Sequence, residues 1–197
     1  MAVSVHNQVF FSGESVKRTF SCLDTLPVRQ KMLWKIESGV LRTYTFNETG
    51  VRNILGYWGA GDVVGHPLSR LNPYEIECLT FVEVVSIPPE LWHEELEAIV
   101  LHAQQTKELL YIKGYERAHH RLLQLLIWLA QKFGRAVDQG KLIEVPLTHE
   151  GIAESISSTR VTVTRLLKQF EREGTIHRDH RKIIVPSSFC QKPSEMG

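Results

Sequence analysis

Hydrophobic periodicity changes from strand-like to helical at Pro88-Pro89 of this 197-residue chain, and that change constrains the fold more than any other feature. Before it, short apolar and β-branched runs are separated by turn residues: Met32–Ile36, Val40–Phe46 and Val51–Trp58, punctuated by Ser38-Gly39, Asn47-Glu-Thr-Gly50 and Gly59-Ala-Gly-Asp62. Short strands between regularly spaced glycine turns predict an antiparallel β-roll or barrel. One further strand is expected from Tyr74 to Ile87, where acids alternate with apolar residues before the prolines stop it.

After the prolines the period is helical. Leu96, Ile99, Ala103, Thr106, Leu110 and Lys113 recur at alternating steps of three and four, the seam of a long helix that needs a partner helix. Beyond Gly114 and the basic Arg117-Ala-His-His-Arg121, an apolar helix from Leu122 to Phe133 places Leu122, Leu125, Leu126, Leu129 and Phe133 on one face and is expected to stop at Gly134. A loop at Gly140 and a strand from Leu142 to Val145 follow, closed by Pro146. The expected fold class is α+β, with a β-roll over residues 1–90, a dimerisation helix over 91–117 and a C-terminal unit over 118–197.

The segment from Pro146 to Pro186 carries the functional signal. Thr148 suits the cap of a short helix ending at Ser155, with Ile152 and Ile156 one turn apart and small Ala153 between them. After the turn Ile156-Ser-Ser158, with Ser158 as the expected cap, Val163, Leu166, Leu167 and Phe170 define the buried stripe of a second helix. Two helices so closely joined, over residues 148–170, make a helix-turn-helix. Its outward face carries Val161, Thr162, Arg165, Lys168 and Gln169, with Thr159 and Arg160 in the first turn. β-Branched residues lose side-chain freedom on a helix, so a merely solvated face does not explain them. Against DNA they do: Val161 and the threonine methyls suit thymine methyl groups, and Arg160 or Arg165 suits guanine O6 and N7. Ser158, Thr159 and the free N–H groups of the helix start suit phosphate. Thr175–Arg178 and Lys182–Val185 read as two strands of a basic wing, with Arg181 and Lys182 reaching the DNA backbone.

The formal net charge is only +1, but charge is segregated. Nine acids face two bases between Asn47 and Glu97, whereas Ser158 to Val185 holds seven bases and three acids. One half is therefore suited to a polyanion. No apolar run approaches the 18 residues of a membrane span, and the first residues lack a secretory pattern, which predicts residence in the cytoplasm. Cys22, Cys78 and Cys190 have no C-x-x-C spacing, so no zinc or iron–sulfur site is drawn from them and no cofactor is expected.

The run from Thr148 through Leu167, THEGIAESISSTRVTVTRLL, resembles the helix-turn-helix of the Crp/Fnr family, and within it the cyanobacterial nitrogen-control branch. The order of glycine-turned strands, long helix and apolar helix extends the likeness over the chain. The resemblance implies a cyclic-nucleotide-binding-like jelly roll, a homodimer, binding to an inverted repeat in double-stranded DNA, and contact with RNA polymerase. Carried over by residue, it implies recognition-helix contacts from Thr159, Arg160 and Arg165, a backbone contact from Thr162, and phosphate contacts from Thr148 and Arg181. Val161 stands where many members carry Glu, so their base preference does not transfer. Gly61, Asp62, Val64, Gly65 and His66 resemble the start of the family's nucleotide pocket, but His66 replaces its ribose-binding Glu. Leu71-Asn-Pro-Tyr74 replaces the pair that grips the cyclic phosphate, leaving that anion no counter-charge and arguing against cyclic AMP. The lack of a basic residue within Leu71–Tyr74 also weakens a dicarboxylate effector, and the cysteine cluster of oxygen-sensing members is missing. Whether a small-molecule effector exists stays open.

Two other readings start from the histidines. A cupin-like metalloenzyme would use His6, His66, His93 and His102, but no His-x-His pair with a nearby carboxylate occurs in the strand region. A heme sensor would take ligands from His66, Cys78 or His93. No nucleophile motif or phosphate-binding glycine loop supports an enzyme.

Overall fold

A computed structural model describes residues 15–179 and 182–190. Two antiparallel sheets form the N-terminal half. β1 (Lys17–Phe20), β7 (Val82–Ile87), β2 (Leu33–Ser38) and β5 (Val63–Val64) neighbour one another in that order, and β4 (Arg52–Trp58), β3 (Leu41–Phe46) and β6 (Glu75–Cys78) make the second sheet. Trp34, Ile36, Trp58, Val64, Tyr74 and Ile76 fill the space between them. The β2–β3 turn requires its glycine: Gly39 has φ +88°, and a Cβ there would lie 2.2 Å from the Phe81 carbonyl oxygen. The single strand expected over Tyr74–Ile87 is two strands, β6 and β7, broken at Leu79–Phe81 so that each joins a different sheet. β1 has no sequence counterpart among the expected strands.

A 3-10 segment, Pro89–Glu95, leads into α1 (Leu96–Lys113), and a short link leads on to α2 (Ala118–Phe133). Lys113 does not belong to the seam expected for α1. Its ammonium donates to Asn53 Oδ1 at 2.6 Å and to the Ile54 carbonyl at 2.5 Å, turning that face toward the β-roll together with buried His102, Leu109 and Ile112. Apart from Leu101, the exposed apolar residues of α1, Leu96, Val100, Ala103, Leu110 and Tyr111, share one outward stripe, with Leu110 and Tyr111 at 69% and 70% exposure. At 100° per residue this stripe lies about 60° around the helix from the expected seam and nearly opposite the buried face.

α2 ends at Phe133, but Gly134 enters a strand rather than a loop. β8 (Gly134–Val137), β9 (Gly140–Ile143), β11 (Lys182–Pro186) and β10 (His177–Asp179) form a third antiparallel sheet in the order β10-β11-β9-β8, between which α3 (His149–Ser155) and α4 (Arg160–Arg172) are inserted in sequence; α5 (Ser187–Cys190) follows. α2 is the centre of the second core, where Leu122, Leu125, Leu126 and Leu129 meet Ile152, Val163, Leu167 and Phe170. That core is continuous with Tyr44, Ile54 and Tyr57 of the β-roll and with Leu109 and Ile112 of α1. Among the described residues, no helix is long and apolar enough to cross a membrane.

His102 ties α1 to the roll. Its ring stacks on Trp58 with centroids 4.0 Å apart, and Nδ1 lies 2.9 Å from the Val63 carbonyl. Burial, to 8% exposure, pushes its pKa down to about 4 from 6.5. The unfolded chain therefore binds a proton that the folded chain refuses, so the stability is present above pH 6.5 and lost as pH falls toward 4. We expect His102→Phe to remove about 3 kcal/mol of acid sensitivity in that window, by urea unfolding followed at several pH values.

Candidate nucleic-acid interface

α3 and α4 are set by their caps. Thr148 Oγ1 accepts from the Gly151 N–H at 2.9 Å, and Thr159 Oγ1 accepts from the Thr162 N–H at 3.2 Å. The second cap is thus Thr159, not Ser158 as the sequence suggested. The turn explains the difference: Ser157 adopts φ +50°, and the Ser158 N–H donates to the Ala153 carbonyl at 2.9 Å, which leaves Thr159 as the extended residue before the helix. Gly174, at φ +70°, ends α4, with the Thr175 N–H returning to the Phe170 carbonyl at 2.9 Å.

Val163, Leu166, Leu167 and Phe170 point into the core. Thr159, Arg160, Val161, Arg165 and Lys168 are exposed, Val161 at 78%. Thr162 is half-buried, and its hydroxyl lies 2.9 Å from Thr159 Oγ1 within the cap. The Thr159 and Thr162 hydroxyls thus meet each other within the cap, beside Arg160 and Arg165. Thr148 stands exposed at the start of α3 and Ser158 half-buried in the turn. Arg181 lies outside the described residues, as does His6. Lys182 is exposed at the start of β11.

The sequence did not join the two residues that meet at this surface, although Arg178 counts among the bases of the expected wing. His149 bridges α3 to Thr164 of α4, and Arg178 of β10 reaches His149. Neither belongs to the buried stripe or the outward face of α4; only the packing of the wing on the helices brings them there. His119, by contrast, packs its ring edge on Phe170 at 4.7 Å and is a core contact.

α3 is also fastened to the β-roll. Arg42 Nε lies 2.6 Å from Glu77 Oε2 and its Nη1 3.4 Å from Glu154 Oε2, while Tyr57 and Ser155 hydroxyls are 2.7 Å apart. Arg121 donates to the Ile156 carbonyl at 2.8 Å and to the Tyr115 and Glu116 carbonyls at 2.8 and 2.9 Å, tying the helix-turn-helix to the link between α1 and α2.

The residues resembling a nucleotide pocket have structural neighbours. Asp62 Oδ2 accepts from the Gly59 N–H at 2.8 Å and pairs with Lys132 at 2.6 Å. Val64 is fully buried, and a Cβ on Gly65 would lie 2.5 Å from the Met32 carbonyl oxygen. Gly61 donates to the Ile36 carbonyl, and His66 is half-buried and opens a 3-10 turn to Leu68. Of the histidines and cysteines weighed as metal ligands, Cys78 is in the core and His93 Nδ1 lies 2.8 Å from the Glu90 carbonyl. Among the described residues, no three His, Cys, Asp or Glu side chains gather as a ligand set.

A β-roll, a long helix with an outward apolar stripe and a winged helix-turn-helix define a DNA-binding regulator. Comparison with known proteins agrees. Residues 120–187 match the Crp-like helix-turn-helix domain. Regulatory protein CysR of Synechococcus elongatus is 46% identical over 164 residues, covering 81% of this chain and 79% of the relative. A global nitrogen regulator of Nostoc sp. is 32% identical over 189 residues, covering 90% and 80%. The crystal structure of TTHB099, a CRP-family transcriptional regulator from Thermus thermophilus, superposes with a TM-score of 0.72 at 22% identity, covering 91% of this chain and 100% of that one, and supports the fold. The chain belongs to the Crp/Fnr family of transcription regulators, with relatives among cyanobacterial regulators, and is a DNA-binding protein rather than an enzyme.

Loss of the cap hydroxyl should be measurable without DNA. Thr159→Ala is expected to cost about 1 kcal/mol in urea unfolding, and Ser158→Ala less than about 0.5 kcal/mol; equal costs would return the cap to Ser158.

Proposed function

We propose that this chain regulates transcription as a homodimer that reads a two-fold symmetric operator with one α4 per half-site. The observation that carries this is the outward face of α4, where Arg160, Val161 and Arg165 stand clear of the core beside a satisfied cap. Arg160 and Arg165 are assigned to guanine edges, Val161 and the Thr162 methyl to thymine methyl groups, and Thr148, Ser158, Thr159 and Arg181 to the DNA backbone. Half-sites then lie about one helical turn apart.

The exposed stripe of α1, Leu96, Val100, Ala103 and Leu110, is assigned to the two-fold helix pair. It recurs at steps of four, three and seven, a heptad spacing. Contact with RNA polymerase and residence in the cytoplasm belong to the same reading and are supported by family membership. Cyclic AMP is not the effector in this reading, because Leu71–Tyr74 offers no cation and Asp62 is already paired.

Selection of bound sequences from a random duplex pool, with ligand-free protein near physiological salt, tests the reading. Recovery of a palindrome with half-sites one turn apart is expected; enrichment of single, unpaired sites contradicts it. Arg160→Ala should lose about 1–3 kcal/mol of discrimination at one base pair of each half-site. Leu110→Glu should raise the dimer dissociation constant more than about tenfold in sedimentation equilibrium, since a carboxylate desolvated in the pair costs well over about 1.4 kcal/mol.

A further inference from the structure

The wing meets the helix-turn-helix through one imidazole. His149 Nδ1 lies 2.8 Å from Thr164 Oγ1, and Nε2 lies 3.3 Å from an Arg178 guanidinium nitrogen. Thr164 Oγ1 is also 2.9 Å from the Arg160 carbonyl oxygen, to which it donates its single proton. The hydroxyl therefore accepts from His149 Nδ1–H. Nε2 is then the nitrogen with the lone pair, and Arg178, which only donates, is its matching partner. These donors and acceptors are consistent only with a neutral His149. Burial first, then the charges of Arg178 and Arg160, lower its pKa in the same sense.

Strand register explains how Arg178 arrives there. It stands opposite Ile183 across the β10–β11 pair, and opposite residues share a face. Ile183 is buried. Arg178 thus leaves the strand on the face that packs on the helices, and its long stem carries the guanidinium outward to His149. Among the described residues no carboxylate pairs with Arg178 or with Arg160. Two guanidiniums flank a neutral ring at the exposed edge of the recognition helix, an arrangement short of one anion.

We infer that Arg178 takes a backbone phosphate of the operator at each half-site, and that His149 is the positioning residue that presents it. This rests on the DNA-reading assignment of α4 and adds the wing strand to it. His149 acts as an acceptor that orients the guanidinium while leaving its charge uncompensated, which a carboxylate in the same place would not do. The contact is to the backbone and adds affinity without base preference.

The test is duplex binding by the full chain, to its selected operator and to an unrelated duplex, over a range of salt. Arg178→Met keeps an unbranched stem of similar length and removes the charge. It is expected to make the slope of log K against log salt less negative by about 1.8 per dimer, one phosphate in each of two half-sites, and to weaken both duplexes by the same factor. His149→Ala is expected to reproduce that loss to within about twofold, and the double variant to lose nothing more, as for two residues acting through one contact. His149→Gln, whose amide both donates and accepts, is expected to restore most of it. An Arg178→Met protein with the wild-type salt slope overturns the inference, as do His149 and Arg178 losses that multiply. Failure of the wild-type chain to prefer its operator over the unrelated duplex overturns instead the reading of α4 on which this rests.

Discussion

Lys132 is the point through which the two halves of the molecule are joined. Its ammonium sits 2.6 Å from Asp62 of the β4–β5 turn, also bonds Gln105 of α1, and lies 5.1, 5.7 and 5.3 Å from the ring centres of Trp58, Trp128 and Phe133. β-Roll, long helix and α2 are thus held by one cation in an aromatic enclosure. Taking that charge out of water is costly, and the paired carboxylate, the Gln105 amide oxygen and the ring faces offset it. Separation of α2 from the roll would leave both Asp62 and Lys132 unpaired, so the joint favours one relative placement. α2 carries the core on which α3 and α4 are built, and the orientation of the recognition helix follows from that placement.

The Arg42–Glu77–Glu154 network and the Tyr57–Ser155 hydroxyl pair fasten α3 to the same sheet, and Arg121 fastens the turn to the interhelical link. These ties run within one chain. Of the residues that in sequence resemble the opening of an effector pocket, Gly61 to His66, Asp62 is taken up in the joint by Lys132, while Val64 lies in the core of the β-roll and Gly65 has no room for a side chain beside the Met32 carbonyl. An effector able to change the spacing of the two recognition helices has to bind the alternative placement better by more than these ties contribute.

Much of this was legible in the sequence where one element decides its own fate. The presence of the long helix α1, the buried stripe of α4 and the glycine-turned strands follow from periodicity, because each reports which face of a local element avoids water. What failed needed a second element. Lys113 fits a seam by spacing, but a carbonyl on β4 and Asn53 capture it, and the outward stripe rotates accordingly. Ser158 and Thr159 are both good caps; the bond from Ser158 N–H to Ala153 selects between them. The site was likewise half legible: Arg160, Val161 and Arg165 stand on a helix face that a wheel displays, whereas His149 and Arg178 come from two elements 29 positions apart.

Half-site geometry gives the most direct test of a symmetric dimeric reader. Equilibrium binding should be compared for the selected duplex and for one with about five base pairs inserted between its half-sites, half a helical turn. The account predicts that the insertion rotates one half-site to the opposite face of the DNA and reduces affinity to that of unrelated duplex, while two chains bind the uninterrupted site. Undiminished affinity for the interrupted duplex would contradict it, since only independent, unpaired recognition helices are indifferent to that rotation.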